Sequence, residues 1–440
     1  MRLDSISQLY SIFKQHPLVS TDSRNCPAGC IFFALKGENF DANAYAASAL
    51  KNGAVYAVID NAEYETDEHF ILVDNVLETL QQLAAFHRRQ LGTPIIGITG
   101  TNGKTTTKEL IASVLKEQYN ILYTQGNLNN HIGVPLTLLG LRPEHELAVV
   151  EMGANHPGEI AFLAEIARPN FGIVTNVGKA HLEGFGSFEN IMKTKGELYQ
   201  YIARNGKLVF MNTENTFLWE MAQDAGLLEN RQKIMEYMVG VSPNSAIISG
   251  QVLESAPFLK MKCQTFKGEF EVQTQLIGAY NAENLMAAVT IATYFNIPNE
   301  KIKQGLENYK PQNNRSQLIE TERNKLIIDA YNANPSSMAV AISNFAQINS
   351  PVKWLILGDM LELGAESENE HQQIVNLLKK SELKNVFLVG NEFKKADSGF
   401  MHFDNTDMLN EYLTQNPLSG YTVLIKGSRG IKLENVVNSL

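Results

Sequence analysis

Three cysteines in 440 residues are too few for a disulfide framework. Cys26 and Cys30 form a C-x3-C pair without the Cys/His partners a zinc site needs, and Cys263 stands alone, so all three read as reduced, ordinary side chains. No run of about 18 apolar residues is present, which excludes a membrane-spanning helix, and Met1 to Ser5 carry no apolar signal core. A cytoplasmic setting is expected. Surplus basic charge is also missing. The 37 Lys and Arg against 47 Asp and Glu leave a net charge of −10, which argues against general affinity for nucleic acid or anionic membrane. There is no fixed-period repeat and no long low-complexity tract.

What is present is α/β alternation on the scale of two to four domains. Before residue 92, short apolar runs at 31–35, 56–59 and 70–73 alternate with helix-like stretches at 42–51 and 77–91, and Gly92-Thr93-Pro94 closes the unit. A central block follows, with buried runs at 147–150, 171–174 and 207–210, as a mostly parallel sheet requires. A last block repeats the pattern at 326–329, 353–358, 386–390 and 422–426, after a polar linker at 310–315. In such sheets ligands bind beyond the carboxyl ends of the strands, which singles out the Asp, Gly and Lys residues ending these runs.

Residues 97 to 107 read Gly-Ile-Thr-Gly-Thr-Asn-Gly-Lys-Thr-Thr-Thr, between an apolar run at 94–98 and an amphipathic helix expected over 107–115. Gly97, Gly100 and Gly103 leave room for backbone N–H groups to face phosphate oxygens; Lys104 brings a charge and Thr105 a hydroxyl for Mg²⁺. Ile98 replaces the usual first glycine of such a turn, and the glycines fall every three residues instead. Use of ATP is expected.

Other polar residues cluster at strand ends. Glu151 follows a run ending at Val150 and suits a hard cation shared with Thr105, though a solvated acid is the plain alternative. His181 follows the next run, where a structural role is as good a reading as metal binding. Lys193 and Glu197, four apart, make the segment around Lys195 read as an exposed helical face. Asn281 and Asn284, one turn apart, suit either a base or helix capping. Asp329, Tyr331, Asn332 and Asn334 form a donor and acceptor cluster before Pro335, which suits sugar hydroxyls, a peptide-like ligand or a simple turn. Lys426 and Arg429 flank small residues that would admit a carboxylate or phosphate.

Taken together, residues 126–130, 151–155, 329–335 and 358–364, with Thr21-Asp22-Ser23-Arg24 and Lys426-Gly427-Ser428-Arg429 near the two ends, resemble the Mur ligase family over nearly the whole chain. The resemblance implies three domains: 1–92 for a UDP sugar, a central ATPase at 93–310, and a Rossmann-like unit at 311–440 that closes over the site. Hinge motion near 92 and 310 is then expected. It implies the branch of the family that joins D-alanyl-D-alanine to UDP-N-acetylmuramoyl-tripeptide in peptidoglycan synthesis, through an acyl phosphate. By the same resemblance, Gly100, Thr101, Asn102, Gly103, Lys104, Thr105 and Thr106 hold the phosphates, and Asn281 meets the adenine. Arg315 and Asp329 meet the ATP phosphate and ribose. Thr105 and Glu151 hold one Mg²⁺ and His181 a second, with Lys195 carried as a carbamate; Lys104, Lys195 and His181 form the catalytic set.

Ser23, Arg24 and Lys36 would face the uridine diphosphate, Asn129 and Asn130 the muramoyl peptide, and Asn332, Asn334 and Arg429 the dipeptide. A monomer is expected. Relatives often have His at Tyr280 and an acidic pair within 212–215, where this chain has Asn212-Thr213-Glu214-Asn215. Two other readings remain open at this stage: an amide ligase with another amino acid or a folate-type acceptor, and a nucleotide-gated switch without a product.

Overall fold

A computed structural model describes residues 5–242, 247–312, 314–381 and 383–440. Residues 1–4 of the opening segment, and Asn313 within the expected linker, lie outside the described residues. Apolar runs bounded by turn residues become strands of three main sheets. In the first, Val19–Ser20, Ile31–Phe33, Tyr56–Ile59 and Phe70–Leu72 lie side by side in that order, all parallel. Cys26 and Cys30 are buried here and Cys263 in the central unit, all as free thiols. Burial pushes Cys30 up to about 11 and Cys263 to about 12, so neither is primed to react.

Helix Val76–Leu91 begins where the Asn75 side chain accepts the Glu78 N–H and ends on Gly92 at φ 69°. Its Leu80, Leu83 and Ala84 share one core with Val134, Leu138 and Leu163 of the central unit. Arg88, buried on the same helix, donates from Nε to Ala167 O at 3.0 Å and from Nη2 to Asn170 Oδ1 at 3.1 Å. The turn at Gly92 therefore joins two bodies with a common core, which disfavours hinge motion there.

The central sheet has nine strands. From Ile248–Glu254 through Ile234–Val239, Leu208–Asn212, Phe171–Val174, Ile95–Thr99 and Leu147–Glu151 to Ile121–Tyr123, all neighbours are parallel. Two antiparallel strands, Lys260–Thr265 and Gly268–Gln273, extend one edge. They went unread in the sequence because alternating Lys, Gln and Glu give them no continuous apolar run. The last unit has six strands, with Lys325–Asp329, Thr422–Lys426, Lys353–Gly358, Val386–Val389 and Met401–Phe403 parallel and Gln317–Glu320 antiparallel at one edge. Thr422–Lys426 is inserted between earlier strands, so the order switches beside Lys325–Asp329, the crevice such sheets use for ligands.

The last unit docks on the central one through Ile277, which joins its apolar core, and through polar contacts. Lys179 Nζ reaches Glu370 Oε1 at 2.8 Å, Ser336 Oγ accepts the Lys179 N–H at 3.2 Å, and Asn334 Nδ2 donates to Asn102 Oδ1 at 2.8 Å.

Candidate active site

Strand Ile95–Thr99 is fully buried between its two neighbours, and the ends of all three aim their loops at one edge. Gly97 belongs to this strand and not to the turn: a Cβ there would stand 2.5 Å from Met152 Cε. Its smallness serves packing, which corrects the phosphate role expected for it. Gly100 and Gly103 do shape the turn, at φ 142° and 77°; a Cβ would meet Thr175 Oγ1 at 2.0 Å and Asn284 Oδ1 at 2.5 Å respectively. Because Gly103 caps the helix, the helix runs Lys104–Leu115 and starts three residues before the expected point.

The turn is pinned to the next strand's loop. Thr101 N–H donates to Asn176 O at 2.9 Å, Asn102 N–H to Asn176 Oδ1 at 2.9 Å, and Thr175 Oγ1 to Asn102 O at 2.7 Å. Lys104 folds back, Nζ donating to Gly100 O at 2.7 Å and Thr101 O at 2.9 Å. Burial pushes its ammonium down to about 8, against the pull of Glu151 and with added repulsion from Arg315. Neutral carbonyls are weaker partners for an ammonium than anionic oxygens.

Glu151 is buried, which removes the solvated-acid alternative. Its Oε1 accepts from Thr105 Oγ1 at 3.2 Å and Asn129 Nδ2 at 2.8 Å. Oε2 is buried without a hydrogen bond, and Lys108 Nζ lies 3.7 Å away. An orphaned carboxylate oxygen beside a hydroxyl is a donor set for a hard cation. Among the described residues no group of three His, Cys, Asp or Glu gathers to hold a metal. Lys108 was missed by sequence reasoning. It is fully buried and also reaches Glu109 Oε1 at 3.1 Å; its only signal was a lysine one turn after Lys104 on the same helix.

The exposed-face reading of Lys195 is overturned. Helix Phe188–Asn205 exposes Lys193 but buries Lys195, whose Nζ donates to Ala154 O at 3.3 Å and sits 5.2 Å from the Phe185 ring centroid. Burial, reinforced by the charge of Lys104, pushes its ammonium down to about 7. The Glu197 carboxylate accepts the N–H groups of Gly158 and Ala161, at 2.9 and 2.8 Å, at the start of helix Glu159–Ala167. His181, at φ 49°, sets Nδ1 against the Glu362 carboxylate of the last unit, a close contact without a well-directed hydrogen bond. The imidazole holds Glu362 below the usual carboxylate range.

At the far end, Asn281 Nδ2 donates to Ile277 O at 2.8 Å, Asn284 Nδ2 to Asn281 Oδ1 at 2.9 Å, and Thr107 Oγ1 to Asn284 Oδ1 at 3.0 Å. Asp329 Oδ2 accepts from Lys426 Nζ at 2.6 Å. The Arg315 guanidinium lies 3.7 Å from the Tyr331 ring centroid. Tyr280 meets Ser316 hydroxyl to hydroxyl at 2.5 Å.

One cleft of about 790 Å³ between the central and last units takes in residues 101–106, Asn129, Asn130, Glu151, His181, Asn281, Arg315, Asp329, Asn332, Asn334 and Lys426. Lys195 lies behind its wall. Arg429 is exposed, 5.5 Å from the Tyr331 ring centroid, and does not line the cleft; Ser23, Arg24 and Lys36 stand on the first unit, also outside it.

A turn built for nucleotide phosphates, opening on a cleft walled by a second α/β unit, defines a P-loop nucleotide-using enzyme whose reactants meet between domains. Known proteins narrow the class: family models described as Mur ligase family, catalytic domain, Mur ligase middle domain and Mur ligase, glutamate ligase domain match residues 17–88, 98–292 and 314–429. The chain belongs to the Mur ligase family, ATP-dependent enzymes that form amide bonds. It is 36% identical over 428 residues to the UDP-N-acetylmuramoyl-tripeptide–D-alanyl-D-alanine ligase of Escherichia coli K12, covering 96% of this chain and 93% of the relative. To the Bacillus subtilis 168 enzyme of the same name it is 34% identical, covering 96% and 92%. A crystal structure of MurF from Acinetobacter baumannii superposes with a TM-score of 0.84 at 32% identity, covering 96% of this chain and 92% of the other. MurF of Thermotoga maritima in complex with ADP gives 0.79 at 26%, covering 96% of each.

Proposed function

We propose that this chain, acting as a monomer in the cytoplasm, joins D-alanyl-D-alanine to UDP-N-acetylmuramoyl-tripeptide. ATP is consumed and the products are UDP-N-acetylmuramoyl-pentapeptide, ADP and phosphate, the last cytoplasmic step of peptidoglycan precursor synthesis. The observation that carries this is the match to relatives named for that reaction, which runs through all three units. In this reading residues 1–92 take the UDP sugar, 93–310 the ATP, and 311–440 complete the cleft.

In the first step an oxygen of the tripeptide's terminal carboxylate attacks the γ-phosphorus, the bond to the β,γ-bridging oxygen breaks, and ADP leaves. Two anions must approach in a partly dry cleft, so Lys104 leaves the carbonyls of Gly100 and Thr101 for the phosphate. Thr105 and Glu151 would hold Mg²⁺, which neutralises charge on the phosphates when bound. His181 and Lys195 would serve a second ion. The lowered pKa of Lys195 supports that role, since only a neutral amine adds carbon dioxide to become an oxygen anion, and near neutral pH much of this lysine is neutral. In the second step the neutral dipeptide amine, ordinarily of pKa about 7.7 to 8.0, attacks the acyl carbon, phosphate leaves and the amine proton is lost.

Solved folylpolyglutamate synthases, at 13 and 14% identity, share the fold alone. The test is phosphate release with each substrate omitted in turn. Turnover that needs ATP, UDP-N-acetylmuramoyl-tripeptide and D-alanyl-D-alanine together is expected; release with a single amino acid or a folate-type acceptor would overturn the assignment.

A further inference from the structure

Lys108 is fully buried, and the steps above make no use of it. An ammonium taken out of water needs anionic partners. Its Nζ stands 3.1 Å from Glu109 Oε1, 3.7 Å from Glu151 Oε2 and 3.5 Å from Gly126 O. Glu109 is a quarter exposed, so water can serve its carboxylate as well. Glu151 has no such recourse. Its Oε2 is buried without a hydrogen bond, and the Lys108 ammonium is the charge set against it.

The two oxygens of Glu151 therefore have separate surroundings. Oε1 meets Thr105 and Asn129, both of which line the cleft, while Oε2 is turned toward Lys108, which does not. Lys104 and Lys108 lie one turn apart on helix Lys104–Leu115, and both feel the same buried carboxylate. They differ in freedom. Lys104 lines the cleft and is held by the carbonyls of its own turn, whereas Lys108 is enclosed and keeps its place whatever binds. A divalent ion arriving alone would give up water for one carboxylate whose charge is already answered by two ammoniums. Nucleotide phosphates bring both the missing negative charge and the missing oxygen ligands.

We infer that Lys108 is the fixed counter-charge of Glu151, a positioning residue that holds Oε2 from behind and keeps the carboxylate from retaining a divalent cation until nucleotide is present. This rests on the reading of Thr105 and Glu151 as the cation site.

Titration of the full chain with Mn²⁺ in place of Mg²⁺, followed by the magnetic-resonance signal of the free ion, tests it with and without ADP. Without nucleotide, Lys108→Met holds Mn²⁺ about tenfold or more tightly than wild type, while Lys108→Arg, which keeps the charge, stays within about twofold. Adding Glu151→Gln to the methionine variant abolishes the gain. A methionine variant that binds Mn²⁺ as wild type does, or a gain that survives loss of the Glu151 carboxylate, would overturn the inference. Should the methionine variant not fold, wild type decides: Mn²⁺ held as tightly without ADP as with it, and released by Glu151→Gln, would overturn it equally. Glu151→Gln leaving the ADP-dependent binding unchanged would instead overturn the cation site itself.

Discussion

Asn334 and Asn102 are hydrogen-bonded side chain to side chain, Nδ2 to Oδ1 at 2.8 Å, across 232 positions of sequence and the junction of two units. Asn334 also caps helix Pro335–Gln347, its Oδ1 accepting the Ser337 N–H at 2.9 Å. One side chain therefore ties the phosphate turn to the unit that completes the cleft.

The two duties separate by substitution. Asn334→Ser retains a capping hydroxyl but is too short to reach Asn102, so its melting temperature should stay close to wild type while KM for ATP rises about fivefold, the size of one lost hydrogen bond. Asn334→Ala should lose about 1 kcal/mol of stability as well. Steady-state kinetics beside thermal melts decide this; an unchanged KM in the serine variant would make the tie incidental.

Gly103→Ala should abolish tight nucleotide binding while the protein still folds. The residue sits at φ 77°, costing a side chain roughly 1–2 kcal/mol, and the new methyl group would lie 2.5 Å from Asn284 Oδ1. Titration with ADP should show affinity at least about tenfold weaker, since the N–H groups that face phosphate would shift. Wild-type affinity would place the phosphates elsewhere.

Lys195→Ala should lose most ligase activity, and a small added carboxylate should restore part of it by supplying the oxygen anion the carbamate would have provided. Activity assays with and without short-chain acids read this directly. Full activity without the additive removes Lys195 from the chemistry.

His371 should make the last unit acid-sensitive. Its Nε2 accepts the Met360 N–H at 3.0 Å, so Nδ1 carries the proton and donates to Ser367 O at 2.7 Å. Burial pushes its pKa below 6.5, against the pull of Asp359 and Glu392 and with added repulsion from Lys395. With the folded value the lower of the two, the unfolded chain binds more protons as pH falls through about 6.5. Stability is whole above that point and is lost below it. Melting temperature should fall less steeply from pH 7 to 5 in His371→Gln than in wild type; parallel slopes would clear His371 of the effect.

Much of the fold was legible because parallel strands buried on both faces are written as short apolar runs, as in Ile31–Phe33 and Val386–Val389. The antiparallel extension at Lys260–Thr265 and Gly268–Gln273 was not, since one-sided burial leaves no continuous run. In the phosphate turn Gly100 and Gly103 were legible, because only glycine tolerates their geometry, whereas Gly97 proved to be a strand residue and the helix begins three residues earlier than read.

Sequence by itself determined the phosphate turn, the alternation that makes three α/β units, and the family, because these rest on local backbone freedom, on periodicity and on motifs spread along the chain. Only the tertiary structure decided that Lys195 is buried, that Lys108 stands beside the orphaned oxygen of Glu151, and that Asn334 answers Asn102. The reason is physical: dielectric environment and partner identity belong to the space where distant segments meet, and a helix such as Phe188–Asn205 carries no local mark of which lysine its neighbours will cover.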